Sequence, residues 1–285
     1  MNRLNLFKRE AEFAPSAIRV ISVLSGKGGV GKSLIAYNLA ERMAARGLKV
    51  LMVDADFRCG NLHILANVHC DYGLRQFVDG VLSLAEAVTS INERLDILPT
   101  SWNENVLETS NVMGTAQWMN KLREQSLDYD YVVIDHSSGV SDQIAVMAHA
   151  CDLNLLVLVP EITSIADCYG LYKYLISANA NINCRLLLNR LERPEEVEYI
   201  RKKFNALSER FLSRKPGYAG YLPESDDFRR AVAAQQPLAE VSPESLVLQA
   251  LNKLCRELVG DFVPSRPAAL NNQNTINKTS VTADI

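Results

Sequence analysis

The chain has 285 residues and a mass of 31.7 kDa, enough for one large domain or two small ones. Hydrophobic residues make up 48%, charged residues 22%, and the formal net charge is -3, which excludes a chain that is disordered throughout. No stretch approaches the roughly 18 consecutive apolar residues of a transmembrane helix, and the start, MNRLNLFKREAEFAPSA, lacks the apolar core of a signal peptide. We therefore expect a cytoplasmic protein.

Short apolar runs alternate with longer helical patterns along the chain, which is typical of parallel strands connected by helices. The predicted strands lie at 18–24, 49–53, 95–98, 131–134, 153–159, 185–188 and 218–222. The predicted helices lie at 32–46, 109–126, 141–150, 164–179, 194–213, 226–234 and 243–259. Because most strand patterns are apolar at every position, helices should cover both faces of the sheet. The sequence predicts a single α/β domain with a doubly wound, mostly parallel sheet over residues 17–260.

The two ends of the chain differ from this domain. Residues 261–285 are polar and rich in Asn, Ser and Thr, which predicts a disordered tail. The arm at residues 1–16 places Leu4 and Phe7 among basic residues. A short amphipathic segment that presses on a partner or on the inner face of a membrane is one interpretation, and a frayed arm is the other.

The cysteines and histidines give no metal-ligand spacing. No CxxC pair or HExxH pattern occurs, so we expect no transition-metal site. We expect reduced core thiols at all six cysteines: Cys59, Cys70, Cys151, Cys168, Cys184 and Cys255.

A phosphate-binding motif follows the first predicted strand. It satisfies G-x-x-x-x-G-K-[ST] and leads into a helix, and its residues are Gly26, Lys27, Gly28, Gly29, Val30, Gly31, Lys32 and Ser33. Glycines let backbone N–H groups surround phosphates, and the start of the helix adds partial positive charge. Lys32 is suited to reach the β and γ oxygens of a nucleotide, and Ser33 to ligate Mg²⁺. The alternative is a glycine-rich turn with a chance lysine.

Lys27 is a second lysine inside this loop. The pattern K-G-G-x-G-K-[ST] resembles the deviant Walker A box of the MinD/ParA (SIMIBI) ATPases. That resemblance implies a homodimer around ATP, in which Lys27 crosses the interface to the other subunit's nucleotide. A partner's cation can stabilise charge on the γ-phosphate only when two loaded subunits meet. A solvated loop lysine is the alternative.

Three aspartates extend the resemblance. The run VDADFRCGN is similar to the family's switch I box, which implies that Asp56 orients or activates the attacking water and that Asp54 lies near the outer shell of Mg²⁺. The run YDYVVIDHSSG resembles Walker B, which implies that Asp135 holds Mg²⁺ through water. Carboxylates at strand ends can instead cap helices. Three of them beside a phosphate loop favour a ligand site, because open α/β sheets bind ligands at that edge.

The base-binding side carries a weaker signal. Family resemblance places Asn189 and Arg190 near adenine, and a later segment with Pro223 resembles one that borders the base. Residues 189–192, NRLE, also nearly match the guanine box NKxD. We favour ATP because Glu replaces the Asp of that box. A simple strand-to-helix turn is the alternative for the segment around Pro223.

The segment PEITSIADCYGL, from Pro160, is similar to that of the flagellar-number regulators (FlhG/FleN) within the family. The resemblance implies an ATPase switch that controls flagellar number or placement, with an SRP-type flagellar GTPase or a flagellar regulator as partner. A MinD-like division-site or ParA-like partition ATPase is the first alternative. A nucleotide-stabilised binding module without turnover is the second. Scattered cations such as Arg229 and Lys253 do not favour nucleic acid binding.

Overall fold

The computed structural model describes residues 18–57, 59–100 and 112–260. The predicted arm at 1–16 and tail at 261–285 lie outside the described residues, as does Arg58 of the switch I run. The domain boundaries therefore stay predictions. Within the described ranges no helix combines the length and the apolar character needed to cross a bilayer.

The sheet has eight strands in the described part of the chain, in the order β3-β4-β2-β5-β1-β6-β7-β8. They are β1 (Arg19–Leu24), β2 (Val50–Ala55), β3 (Thr89–Asn92), β4 (Leu95–Leu98), β5 (Tyr131–His136), β6 (Leu153–Leu158), β7 (Cys184–Leu191) and β8 (Gly217–Pro223). Every neighbouring pair is parallel except β3 and β4. The predicted doubly wound, mostly parallel fold is confirmed.

Among the described residues, eleven helices connect these strands and cover the sheet. Seven of them match predicted helices: α1 (Lys32–Ala44), α5 (Val112–Gln125), α6 (Asp142–His149), α7 (Ile162–Ala178), α8 (Glu195–Leu212), α9 (Asp227–Ala234) and α11 (Leu246–Val259). The other four are short: α2 (Leu62–Leu65), α3 (Leu74–Val78), α4 (Leu84–Ala87) and α10 (Leu238–Val241).

Two apolar layers form because side chains alternate along each strand. Val132 and Ile134 of β5 face the layer beneath α5, α6, α7 and α8. Tyr131 and Val133 of the same strand face the layer beneath α1 and α11. The sheet is buried on both sides, which explains why its strands appear in the sequence as continuous apolar runs.

The sequence reading missed β3 and the four short helices. β3 is an edge strand whose residues alternate between partly buried and exposed, and its pairing with β4 shifts register between Ser90 and Asn92. Its polar sequence, TSIN, carries no apolar run. The short helices span only four or five residues each, too few for a helical period to be recognised.

Strands β2 and β5 extend beyond their predicted ends. The prediction ended them at Val53 and Ile134, whereas they continue to Ala55 and His136. Asp54 and Asp135 are therefore strand residues, and they stand opposite each other in the parallel register. This pairing places two carboxyl groups side by side at one edge of the sheet.

Candidate functional site

The predicted site residues meet at the carboxyl edge of the parallel sheet. The phosphate loop follows β1. Asp54 lies near the end of β2, Asp56 directly follows that strand, and Asp135 lies near the end of β5. Because β1, β2 and β5 are parallel neighbours, these groups converge although they are far apart in sequence. Asn189, Arg190 and Pro223 come to the same edge from β7 and β8.

The glycines of the loop hold backbone shapes that side chains rarely allow. Gly29 and Gly31 have φ angles of 76° and 90°. A Cβ atom on Gly31 would lie 2.6 Å from Nδ2 of Asn189. Helix α1 starts directly after Gly31, so its first N–H groups face the loop. Two positive φ angles and the start of a helix thus lie where the motif predicts a phosphate loop.

Gly26 brings the loop against the backbone of α7. A Cβ atom there would lie 2.2 Å from the carbonyl oxygen of Asp167 and 2.8 Å from the nitrogen of Cys168. Ser25 then closes the turn, since its Oγ accepts from the nitrogen of Lys27 at 3.1 Å and donates to the carbonyl of Lys27 at 2.7 Å. The carbonyl of Ser25 also accepts a hydrogen bond from the nitrogen of Gly139, which lies just after β5, at 2.9 Å.

Lys32 and Ser33 both contact Asp135. The ammonium of Lys32 lies 3.0 Å from Oδ1 of Asp135, and the two side chains are only 6% and 1% exposed. Burial raises the pKa of Asp135, and the charge of Lys32 together with a hydrogen bond from Ser33 opposes that shift. The three groups predicted to hold phosphate and Mg²⁺ therefore form one cluster.

Asp54 anchors the loop that follows β2, which the family resemblance assigns to switch I. Its Oδ1 accepts from the nitrogen of Asp56 and its Oδ2 from the nitrogen of Leu62, both at 3.1 Å. Gly60 packs so closely that a Cβ atom there would lie 2.8 Å from Oδ2 of Asp54. Burial, followed by the charge of Asp135, raises the pKa of Asp54 to about 7. The carboxyl group of Asp54 thus positions the loop that carries Asp56.

Asp56 is partly exposed at the start of that loop, and its Oδ1 accepts from the nitrogen of Cys59 at 3.3 Å. Its charge contributes to the raised pKa of both Asp54 and Asp135. Asp56 therefore stands within electrostatic range of the buried cluster while remaining open to solvent.

Lys27 has partners that the sequence analysis did not identify. Its ammonium lies 2.5 Å from Oε2 of Glu161 and 3.0 Å from Oγ1 of Thr163. Both residues come from the segment that joins β6 to α7 or from the first turn of α7. The sequence of that segment resembles the flagellar regulators, but nothing in it indicates a contact with Lys27.

A cavity of about 280 Å³ adjoins the loop on the base side and is lined by Gly31, Asn189, Arg190 and Pro223, among others. Asn189 is 2% exposed, and its Nδ2 donates to the carbonyl of Val30 at 2.7 Å. Its Oδ1 is buried and has no hydrogen-bond partner among the described residues. Arg190 adopts a left-handed backbone, with φ of 58°. All the residues predicted for base binding thus share one cavity.

His136 directly follows Asp135 at the end of β5. His136 is fully buried, and burial lowers its pKa to about 3, so it is neutral. Its position beside Asp135 therefore adds no cation to the site.

The expectation of six core thiols is wrong for Cys59, which is exposed in the loop after β2. Three of the free cysteines are buried: Cys168, Cys184 and Cys255.

Comparison with known proteins matches an AAA domain family model (AAA_31) to residues 18–187, more than half of the chain. The antiactivator FleN of Pseudomonas aeruginosa is 28% identical over 250 residues, which cover 88% of this chain and 89% of that protein. The flagellum site-determining protein YlxH of Helicobacter pylori is 27% identical over 243 residues, covering 85% and 82%.

Solved structures show the same fold. The septum site-determining protein MinD of Pyrococcus horikoshii, complexed with Mg-ADP, superposes with a TM-score of 0.70 at 25% identity and covers 85% of this chain and 96% of that one. A ParA family ATPase of Chlorobium tepidum superposes with a TM-score of 0.72 at 19% identity, covering 83% and 98%, which shows similarity of fold alone.

Proposed function

The chain belongs to the MinD/ParA family of P-loop ATPases, and from that premise we propose that it binds ATP with Mg²⁺, pairs with a second copy and hydrolyses the nucleotide. Hydrolysis would return the pair to monomers and so reset a regulatory switch. The observation that carries this proposal is the buried cluster of Lys32, Ser33 and Asp135 beneath the glycine loop.

The cluster fits a metal-bound phosphate. Ser33 and Asp135 offer the hydroxyl and carboxylate oxygens that Mg²⁺ prefers, with Asp135 acting through water. Bound there with ATP, Mg²⁺ would neutralise charge on the phosphate oxygens. Lys32 would then exchange the carboxylate of Asp135 for the β and γ oxygens, and the N–H groups of the loop and of α1 would surround the same phosphates.

Asp56 is the group that we assign to the attacking water. It is partly exposed at the mouth of the cluster, on a loop whose backbone Asp54 holds at two points. A carboxylate in that position can accept a hydrogen bond from water and orient it. The two anchoring bonds hold the loop, so that in the ATP-bound protein Asp56 would stay near the γ-phosphate.

The surface around Lys27 is suited to a second copy of the chain. Gly28 and Gly29 are exposed beside Lys27, so the loop is not covered by its own subunit. Two apolar side chains on neighbouring segments of the same sheet edge are also exposed, Val140 at 48% and Ile162 at 79%. In the ATP-bound pair, Lys27 would contact the nucleotide of the partner and act there as a catalytic residue.

Adenine is the base that the cavity favours. The hydrogen bond from Nδ2 of Asn189 to the carbonyl of Val30 fixes the orientation of the amide and leaves Oδ1, which can only accept, without a partner among the described residues. The amino group of adenine would donate to such an acceptor, whereas the O6 atom of guanine is itself an acceptor. Arg190 and Pro223 would border the base.

We assign the switch to the control of flagellar number or placement. The support is the similarity to FleN and YlxH, together with the segment from Pro160. A flagellar regulator or an SRP-type GTPase would be its protein partner, in the cytoplasm or at the inner face of the membrane. Relatives named MinD, such as that of Bacillus subtilis at 24% identity, support division-site placement as the second candidate.

Asp56→Ala tests the chemistry. The variant should bind ATP with unchanged affinity, fail to hydrolyse it and accumulate as a dimer on size-exclusion chromatography with light scattering. An Asp56→Ala chain that stays monomeric when saturated with ATP would contradict the switch. Wild-type protein that binds ATP but never turns it over, alone or with partners, would favour the binding-module alternative.

Deletion of the gene in its host tests the process. Extra or misplaced flagella at normal cell length, counted by electron microscopy, are expected for a flagellar regulator. Minicells, filaments or lost replicons with normal flagella would instead assign the same ATP switch to the MinD or ParA branch.

A further inference from the structure

The two lysines of the loop are held in different ways. Lys32 is buried and pairs with buried Asp135, inside the nucleotide site. The Lys27 side chain is 37% exposed and pairs with Glu161, whose side chain is 58% exposed, on the outer side of the loop. Thr163 adds a second contact to the same ammonium group. Lys27 is therefore fixed at a place where solvent, or a second copy, can compete for it.

Glu161 has no other structural task that the described residues reveal. It precedes α7, but its side chain makes no hydrogen bond to cap that helix. The hydrogen bond and charge of Lys27, with a smaller effect from the charge of Arg190, lower the pKa of Glu161. The carboxylate is therefore ionised at neutral pH, and Arg190 stays beside it if Lys27 moves away.

We propose that Glu161 and Thr163 are positioning residues that hold Lys27 within its own subunit, so that two ATP-loaded copies can pair only when this contact breaks. The inference rests on the proposed function, in which Lys27 reaches the nucleotide of the partner. One ammonium group cannot occupy both places, so the free energy that favours the contact opposes pairing once in each of the two subunits.

The surroundings make this competition local to the side chain. Gly26 packs against the backbone of Asp167, so the base of the loop cannot shift freely relative to α7. Lys27 must therefore leave Glu161 by rotating its own side chain. Exposed ion pairs are weak, so the contact should favour the bound over the released Lys27 side chain by about two- to five-fold in each subunit. Such a restraint raises the concentration threshold for pairing without preventing it.

Amine labelling of nucleotide-free protein tests the contact directly. Brief reductive dimethylation, read by fragment-ion mass spectrometry that separates Lys27 from Lys32, gives the labelling rate of Lys27. Lys173, which is exposed on α7, serves as the internal reference. Glu161→Gln should raise the Lys27 rate about two- to five-fold relative to Lys173, and Thr163→Val should raise it less. Asp167→Asn removes the same charge from an exposed position on α7 and should change nothing.

Sedimentation of the same full-length variants with Mg-ATP tests the consequence. Glu161→Gln should lower the dimer dissociation constant by about the square of the factor seen in labelling, because each pair breaks two such contacts, with an unchanged melting temperature. An unchanged Lys27 rate overturns the restraint. Faster labelling with an unchanged or larger dissociation constant overturns its effect on pairing. If the wild-type chain stays monomeric with ATP, the proposed function fails, and the labelling result still decides whether the contact exists.

Discussion

The site has two parts: a phosphate half around the loop that follows β1, and a base half at the cavity lined by Asn189, Arg190 and Pro223. The two halves differ in the groups that form them. The phosphate half consists of backbone N–H groups, glycines with positive φ and a buried ion pair between Lys32 and Asp135. The base half is a cavity of about 280 Å³ whose wall comes from side chains of β7, β8 and α9. Backbone geometry requires particular residues at fixed spacing, whereas a cavity wall accepts many. Motifs therefore identify the first half and only indicate the second.

Lys32→Ala should have the largest effect on this comparison, because it removes the charge at the centre of the phosphate half. We expect ATP affinity to fall at least about 100-fold, which corresponds to about 3 kcal/mol, a loss typical of breaking a buried charged contact. Isothermal titration calorimetry with Mg-ATP measures it. Lys27→Ala, in the same loop, should keep most of the affinity and lose dimerisation. Equal losses in both variants would contradict the different roles of the two lysines.

Gly26→Ala tests whether the phosphate half depends on close backbone approach. The added methyl group would collide with the carbonyl of Asp167, and neither backbone can yield without moving the loop or α7. We expect a loss of about 1–3 kcal/mol in the free energy of unfolding, measured with urea.

Gly170→Ala is the matched control on the same helix, since no atom lies within 4 Å of the position its Cβ would occupy. It should stabilise the protein by about 0.5–1 kcal/mol, because alanine favours a helix over glycine. An unaffected Gly26→Ala variant would show that packing against α7 does not explain the glycine in the loop, and a Gly170→Ala variant destabilised as much as Gly26→Ala would show that the loss is not specific to the close contact.

Most of the fold could be predicted because the buried parallel strands and amphipathic helices leave strong periodic patterns. The predicted strand at residues 95–98 coincides with β4, and the one at 218–222 lies within β8. Edge strand β3 was missed because only one of its faces is partly buried, so no apolar run marks it. The ends of β2 and β5 were placed too early because Asp54 and Asp135 are polar residues in fully buried strand positions.

The site divides in the same way. The aspartates and the loop lysines could be named from motifs because the chemistry requires those groups at those spacings. The partners of Lys27 could not, because Glu161 is 134 positions away and reaches Lys27 only through the order of β1 and β6 in the sheet. Asp227, in the first turn of α9, accepts hydrogen bonds from Ser225 and Ser245, a set of contacts termed the Asp227 clamp. The sequence does not reveal this clamp either, because Ser245 belongs to another segment.

Asn189→Ala should have an intermediate effect, confined to the base half. The change removes the acceptor Oδ1 and leaves the carbonyl of Val30 without its donor. We expect ATP affinity to fall about tenfold, the value of roughly one hydrogen bond, and the preference for ATP over GTP to disappear. Val232→Ala, on the cavity wall, should weaken both nucleotides equally. A preserved ATP preference in Asn189→Ala would exclude Asn189 as the group that selects the base.

The smallest effect should come from Asp227→Asn, which loosens the base wall without touching the base. The carboxylate of Asp227 accepts hydrogen bonds from Ser245 and from Ser225, the latter at 2.7 Å, and pairs with Arg230. The hydrogen bond from Ser245, followed by that from Ser225, lowers the pKa of Asp227 to about 2. At neutral pH the variant should lose about 0.5–1.5 kcal/mol of the free energy of unfolding.

The pH dependence of that loss follows from the sign of the shift. A carboxyl group with a folded pKa of about 2 and an unfolded pKa of about 3.9 stabilises the fold above about pH 4, and the contribution disappears as pH falls through 2. Urea unfolding curves of wild type and Asp227→Asn should therefore converge between pH 4 and pH 2, whereas Asp226→Asn, an exposed neighbour, should follow wild type. Parallel curves for Asp227→Asn would rule out the Asp227 clamp.

Helix α9 lines the base cavity and lies apart from the phosphate loop in the sequence. The same variant should therefore weaken the binding of ATP but leave the binding of pyrophosphate unchanged, which separates the two halves of the site in one protein.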